Sequence, residues 1–91
     1  MKTYKIRATA NKIENADTLC TEWKKDFTAE ELTKWMEDRA KLMSDVYCYN
    51  DIKTYKYEDG SFLMVCFRHA RMTNRGLTEA VITRFHIIPL A

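Results

Sequence analysis

The stretch Tyr55-Lys56-Tyr57-Glu58-Asp59-Gly60-Ser61-Phe62-Leu63-Met64-Val65-Cys66-Phe67 decides the fold of this chain. Asp59-Gly60 supplies the positive φ angles of a two-residue type I′ turn, whose twist matches the twist of its flanking strands. With those two residues as the loop, Glu58 faces Ser61, Tyr57 faces Phe62 and Tyr55 faces Met64. One face of the hairpin then collects Tyr55, Tyr57, Phe62, Met64 and Cys66, and the other collects Ile52, Thr54, Leu63, Val65 and Phe67. An antiparallel sheet covered on one side alternates apolar with polar residues. Phe62 to Phe67 has no polar position, so this strand is either central with both faces covered or holds one face for a partner.

Upstream, Thr28-Ala29-Glu30-Glu31 reads as a capping box. The Thr28 hydroxyl can accept from the Glu31 N–H, and Glu31 can reach back. Acidic side chains also suit the positive end of the helix dipole. Leu32, Trp35, Met36, Leu42 and Met43 line one stripe, Glu37 and Lys41 form an outward i,i+4 pair, and the helix should end near Ser44 or Asp45. Residues 2–10 read as a strand, with Tyr4, Ile6, Ala8 and Ala10 alternating with Lys5, Arg7 and Thr9.

Residues 13–27 carry two patterns. Ile13, Ala16, Cys20, Trp23 and Phe27 follow helical spacing, while Leu19, Thr21 and Trp23 alternate. The helical reading is preferred, with a second strand paired with the first as the alternative. A last strand runs from about Glu79 to Ile88, with Val81, Thr83, Phe85 and Ile87 on one face, and Pro89 lacks the N–H to continue pairing. Arg71–Thr78, around Asn74-Arg75-Gly76, reads as a turn-like linker. The expected fold is α+β, an antiparallel sheet of about four strands with one or two helices on one face, in the order β-α-α-β-β-β.

The chain has 91 residues, enough for one domain spanning 1–91. Its 46% hydrophobic and 31% charged residues, with two Gly and one Pro, exclude a disordered or low-complexity chain. No apolar run approaches the roughly 20 residues of a membrane-spanning helix. Met1-Lys2-Thr3-Tyr4-Lys5 has no apolar h-region, so a signal peptide is not expected. Three widely spaced cysteines, Cys20, Cys48 and Cys66, suit free thiols in a cytoplasmic protein, each a small buried hydrophobe.

The net charge of +2 is too low for a strongly basic nucleic-acid-binding domain, but its distribution is uneven. Residues 1–45 carry nine basic and nine acidic side chains, whereas residues 61–91 carry Arg68, Arg71, Arg75 and Arg84 against Glu79 alone. Arg is the better bidentate binder of carboxylate and phosphate, although a solvated basic loop would look the same.

Chemistry at single residues is thinly supported. Cys66 and His69 have C-x2-H spacing, but positions 66 and 69 of a strand face opposite sides, and zinc needs about four converging ligands. Neither a metal nor another cofactor is expected. Cys66 stands in the most apolar run, where its thiol pKa should rise, which argues against a nucleophile. The best enzymatic case is the cluster Arg68, His69, Arg71, Arg75, Arg84 and His86, which could hold RNA phosphates and assist cleavage at the ribose 2′-OH. With residues 13–27 helical, the order strand, two helices, three-stranded meander resembles the small RelE/ParE and BrnT-type toxins. That resemblance lies in topology, without a diagnostic motif, and it implies an RNA-cleaving enzyme.

The preferred expectation is a non-enzymatic protein-binding module, an inhibitor or adaptor. The binding residues would be Tyr55, Tyr57, Phe62 and Met64 on an apolar aromatic/Met sheet face, with Arg68, Arg71 and Arg75 in the adjoining loop. Two helices side by side hide one sheet face and not both, and large uncovered apolar patches mark interaction sites. Aromatic, Met and Arg side chains are enriched at interface centres. The partner would be another protein or a second copy in a homodimer. A small motif-free chain of this kind also fits a phage- or mobile-element-encoded inhibitor of a host defence system. Nucleic-acid binding through the Arg residues and stacked Tyr rings is the further alternative.

Overall fold

The computed structural model describes residues 1–12 and 18–90. Two long strands, β1 (Lys2–Lys12) and β2 (Thr18–Phe27), lead into the helix α1 (Ala29–Asp45). The strands β3 (Asp51–Lys56), β4 (Phe62–Arg68), β5 (Arg71–Thr73), β6 (Gly76–Thr78) and β7 (Val81–Pro89) follow. The fold is α+β. Five strands form one sheet in the order β2-β1-β7-β4-β3, and β5 and β6 form a separate two-stranded ribbon. All neighbouring strands are antiparallel.

The helix begins as the capping box requires. The Glu31 N–H donates to Thr28 Oγ1 at 3.2 Å, and the Thr28 N–H donates to Glu31 Oε1 at 2.9 Å. Thr28 holds the Glu31 carboxyl below its usual range by this backbone bond first and its hydroxyl second. The ion pair on the outer face is Lys34–Asp38, at 3.6 Å, rather than the expected Glu37–Lys41.

Residues 18–27 are a strand, not part of a second helix, and the sheet accordingly has five strands with one helix. The reason lies in the spacing. Trp23 and Phe27 are four apart, which keeps two residues on one side in a helix and in a strand alike. Cys20 separates the readings: it is exposed, whereas Trp23 and Phe27 pack against the helix side. Ile13 and Ala16, the rest of the expected helical stripe, lie outside the described residues. The strand order β-β-α no longer matches the topology on which the toxin resemblance rests.

The core lies between α1 and one face of the sheet. One cluster joins Tyr4, Ile6, Phe27, Leu32 and Ile87, and a second joins Met43, Met64, Cys66 and Phe85. Trp35 and Met36 pack against both. The Trp35 ring meets Phe27 and Phe85 edge-on at centroid distances of 6.1 and 6.2 Å. Buried Thr83 is satisfied by a 2.6 Å hydrogen bond with the Tyr49 hydroxyl.

Pro89 closes β7 as a pairing residue opposite Tyr4, and pairing continues for one more bond, from the Leu90 N–H to Thr3 O at 2.8 Å. The proline is tolerated in a central strand because β4 starts opposite Ile87, leaving Pro89 without a β4 partner. The Arg71–Thr78 linker is the β5–β6 ribbon, joined by Asn74-Arg75.

Candidate functional site

The two sides of the sheet follow from the register of the β3–β4 hairpin. Tyr55 lies opposite Leu63, Thr54 opposite Met64 and Lys56 opposite Phe62. The loop is one residue longer than Asp59-Gly60 alone. The Tyr57 N–H donates to Ser61 O at 2.9 Å and the Gly60 N–H to Tyr57 O at 3.1 Å, which leaves Glu58, Asp59 and Gly60 between the paired ends. Gly60 takes φ +86°, the left-handed position of a longer hairpin loop. Asp59 Oδ1 accepts from the Ser61 hydroxyl at 2.6 Å and the Ser61 N–H at 2.9 Å. The Ser61 hydroxyl, and then its N–H, hold the Asp59 carboxyl below its usual range.

One residue of loop length changes which side each tyrosine joins. Met64 and Cys66 have no exposed surface and lie beneath the helix, and half-buried Phe62 packs on the same side against the cluster of Ile6 and Ile87. Tyr55 pairs with Leu63 on the opposite side and is 46% exposed. Tyr57 lines a depression with Leu63 on that opposite side. The expected grouping of Tyr55, Tyr57, Phe62 and Met64 therefore separates into two tyrosines on the uncovered side and two core residues.

The uncovered side carries alternate residues of every strand. The row Arg7–His86–Leu63–Tyr55 crosses it, followed by Thr9–Arg84–Val65–Lys53 and Asn11–Ile82–Phe67–Asp51. Its centre is an apolar stripe of Leu63, Val65, Phe67, Ile82 and Ile88, all half-buried. Among the described residues, no helix or strand packs over this side; α1 touches the sheet from the other. Phe67 meets the His69 ring edge-on at 4.7 Å, and His69 Nε2 stands 3.2 Å from Asp51 Oδ2.

The arginines are dispersed. Arg68 sits over the Tyr49 ring at 5.6 Å, and its buried Nε has no hydrogen-bond partner among the described residues. Arg71 and Arg75 belong to the ribbon, where Met72 pairs directly with Leu77 and the two are 75% and 63% exposed. Arg84 and His86 lie on the uncovered sheet side, across from Thr9 and Arg7. The sequence reading did not select Arg7, Leu63, Val65, Phe67, Arg84 and His86 as one surface. The loop count in the hairpin decides which β3 residues join Leu63, Val65 and Phe67, whereas Arg7, Arg84 and His86 join them through the β1–β7–β4 register, which has no local signal.

Cys66 and His69 do not converge: one lies in the core and the other with Asp51 and Phe67. Burial pushes the Cys66 thiol up to about 11. Cys20 and Cys48, expected to be buried, are exposed; all three thiols are free. Among the described residues, no helix is long and apolar enough to cross a membrane.

Comparison with family models, curated proteins and solved structures finds no match.

Proposed function

We propose that this chain is a small protein-binding module, an inhibitor or adaptor that docks on an acidic surface of another protein. The observation that carries this reading is the stripe Leu63, Val65, Phe67, Ile82 and Ile88 on the uncovered sheet side, flanked by Tyr55 and Arg84. Apolar centres with aromatic and Arg neighbours are the composition of interface cores. The ribbon adds a second contact, with Met72 and Leu77 exposed between Arg71 and Arg75. Charge complementarity selects the partner: Arg7, Arg84 and Lys53 stand on this side against Glu22 and Asp51, and the ribbon adds Arg71 and Arg75. A two-fold copy docked through this face would bring its own cations together, which disfavours self-association.

The test begins with light scattering on the isolated chain, where a monomer is expected. Tagged wild-type protein is then compared with Val65→Asp, Tyr55→Asp and the ribbon variant Leu77→Ser in affinity capture from host extract. Support requires a captured protein whose binding weakens with salt, disappears with Val65→Asp and survives Lys34→Ser on the outer face of α1. A dimer dissolved by Val65→Asp would replace the acidic partner with a second copy. Steep salt dependence with single-stranded nucleic acid as the ligand would favour nucleic-acid binding. Growth arrest on expression, relieved by His69→Gln, would favour RNA cleavage.

A further inference from the structure

The uncovered side also contains a depression of about 560 Å³, within the size range of small-molecule sites. Arg7 enters it from β1, Arg84 and His86 from β7, Tyr57 and Ser61 from the hairpin, and Leu63 from β4. Arg7 stands directly across from His86, and Arg84 lies two residues along the same strand. Three cationic or imidazole groups on two neighbouring strands thus meet over one apolar side chain.

Their existing contacts leave donors unused. Arg7 reaches Glu22 Oε1 at 3.5 Å and Cys20 Sγ at 3.4 Å, both through Nε, so its terminal nitrogens remain uncommitted among the described residues. The Arg84 side chain has no hydrogen bond or ion pair among the described residues. The one acid in the lining is Asp59, and its Oδ1 already accepts both Ser61 bonds.

We propose that this depression binds a 5′-mononucleotide, with its phosphate among Arg7, Arg84 and His86 and its base against Tyr57 and Leu63. A planar carboxylate is satisfied by one guanidinium fork, whereas a phosphate offers three oxygens to donors arriving from separate directions. Tyr57 is half-exposed and presents an aromatic surface at the edge of the depression, where a flat ring can stack. The site needs no macromolecular partner, and so goes beyond the docking reading.

The experiment is calorimetric titration of the full chain with AMP, inorganic phosphate, adenosine and acetate at low ionic strength. AMP is expected to bind about tenfold more tightly than phosphate, and phosphate more tightly than acetate or adenosine. Arg84→Gln should weaken both AMP and phosphate by about tenfold, and Arg7→Gln provides a second measurement if the first variant does not fold. Tyr57→Leu should reduce AMP to the affinity of phosphate alone. Equal affinity for acetate and phosphate, equal affinity for AMP and phosphate, or no binding of AMP at millimolar concentration overturns the proposal. Leu77→Ser, which breaks the ribbon contact of the docking reading, alters neither a lining residue nor a strand neighbour of one, so the two proposals fail separately.

Discussion

Met64 and Val65 are adjacent on β4, are of similar apolarity, and meet different surroundings. Met64 points to the helix and has no exposed surface, closed in by Met43, Cys66 and Phe85. Val65 points the other way, into a shallow depression with Lys53, Tyr55 and Phe67, and no helix covers it. The contrast extends along the strand: Phe62, Met64 and Cys66 serve the fold, whereas Leu63, Val65 and Phe67 are available to something else. Apolar content alone does not distinguish these roles. The position of one helix does.

The contrast is broken most strongly at Met64. Met64→Ala should destabilise the protein by about 2–5 kcal/mol, as truncation in a closed core does. Val65→Ala should cost about 1 kcal/mol or less, because its site can fill with water. Urea unfolding of both variants at unchanged m-value measures the difference; equal midpoints would mean that the two sides are equally packed.

The hairpin loop that assigns Tyr55 and Tyr57 their side can be probed at Gly60. A Cβ there would meet Pro89 Cγ at 3.6 Å, an ordinary contact, so the expense of Gly60→Ala is the φ of +86° itself. The expected loss is about 1–2 kcal/mol, read from thermal unfolding. Rescue of the loss by Gly60→Asn would identify backbone conformation as the cause, since Asn tolerates the left-handed region.

A smaller effect is expected at the start of the helix that makes the two sides unequal. Thr28→Ala should cost about 1 kcal/mol near neutral pH. The folded Glu31 carboxyl lies below its ordinary value, so its contribution is present above that value and is lost as pH falls through the depressed one. The gap in unfolding temperature between wild type and Thr28→Ala should therefore narrow below about pH 4. Asp59, lowered by Ser61, adds acid sensitivity of the same sign in both proteins.

The gentlest test perturbs nothing. Native alkylation followed by mass spectrometry should modify Cys20 and Cys48 while Cys66 waits for unfolding, because its thiol is buried and raised to about 11. Modification of all three at the same rate would show the helix-covered side opening readily.

Much of the architecture was legible because local signals agreed with the tertiary ones. Thr28 and Glu31 announced the helix, and Val81, Thr83, Phe85 and Ile87 announced the buried side of the last strand, all of which lie at their expected places. Residues 18–27 were not decided because Trp23 and Phe27 satisfy both periods, and the exposure of Cys20 and the pairing with β1, both tertiary facts, resolve them. The candidate surface was half legible. An unusually apolar β4 pointed to a free side, but Asp59-Gly60 fits two loop lengths. The additional loop residue moved Tyr55 away from Phe62 and Met64 to join Leu63 and Val65. The dispersal of the arginines depends on long-range strand order, which no local pattern encodes.

The neck of the ribbon has a consequence of its own. Arg68 and Val81 already pair where β4 ends and β7 begins, and β5 and β6 touch only each other. The sheet is thus complete without the ribbon, residues 71–78, which forms a cassette rather than a structural member. Evolution can lengthen, shorten or rewrite that cassette while the body of the protein stays the same, and an engineer can exchange it for a foreign peptide at the same joint.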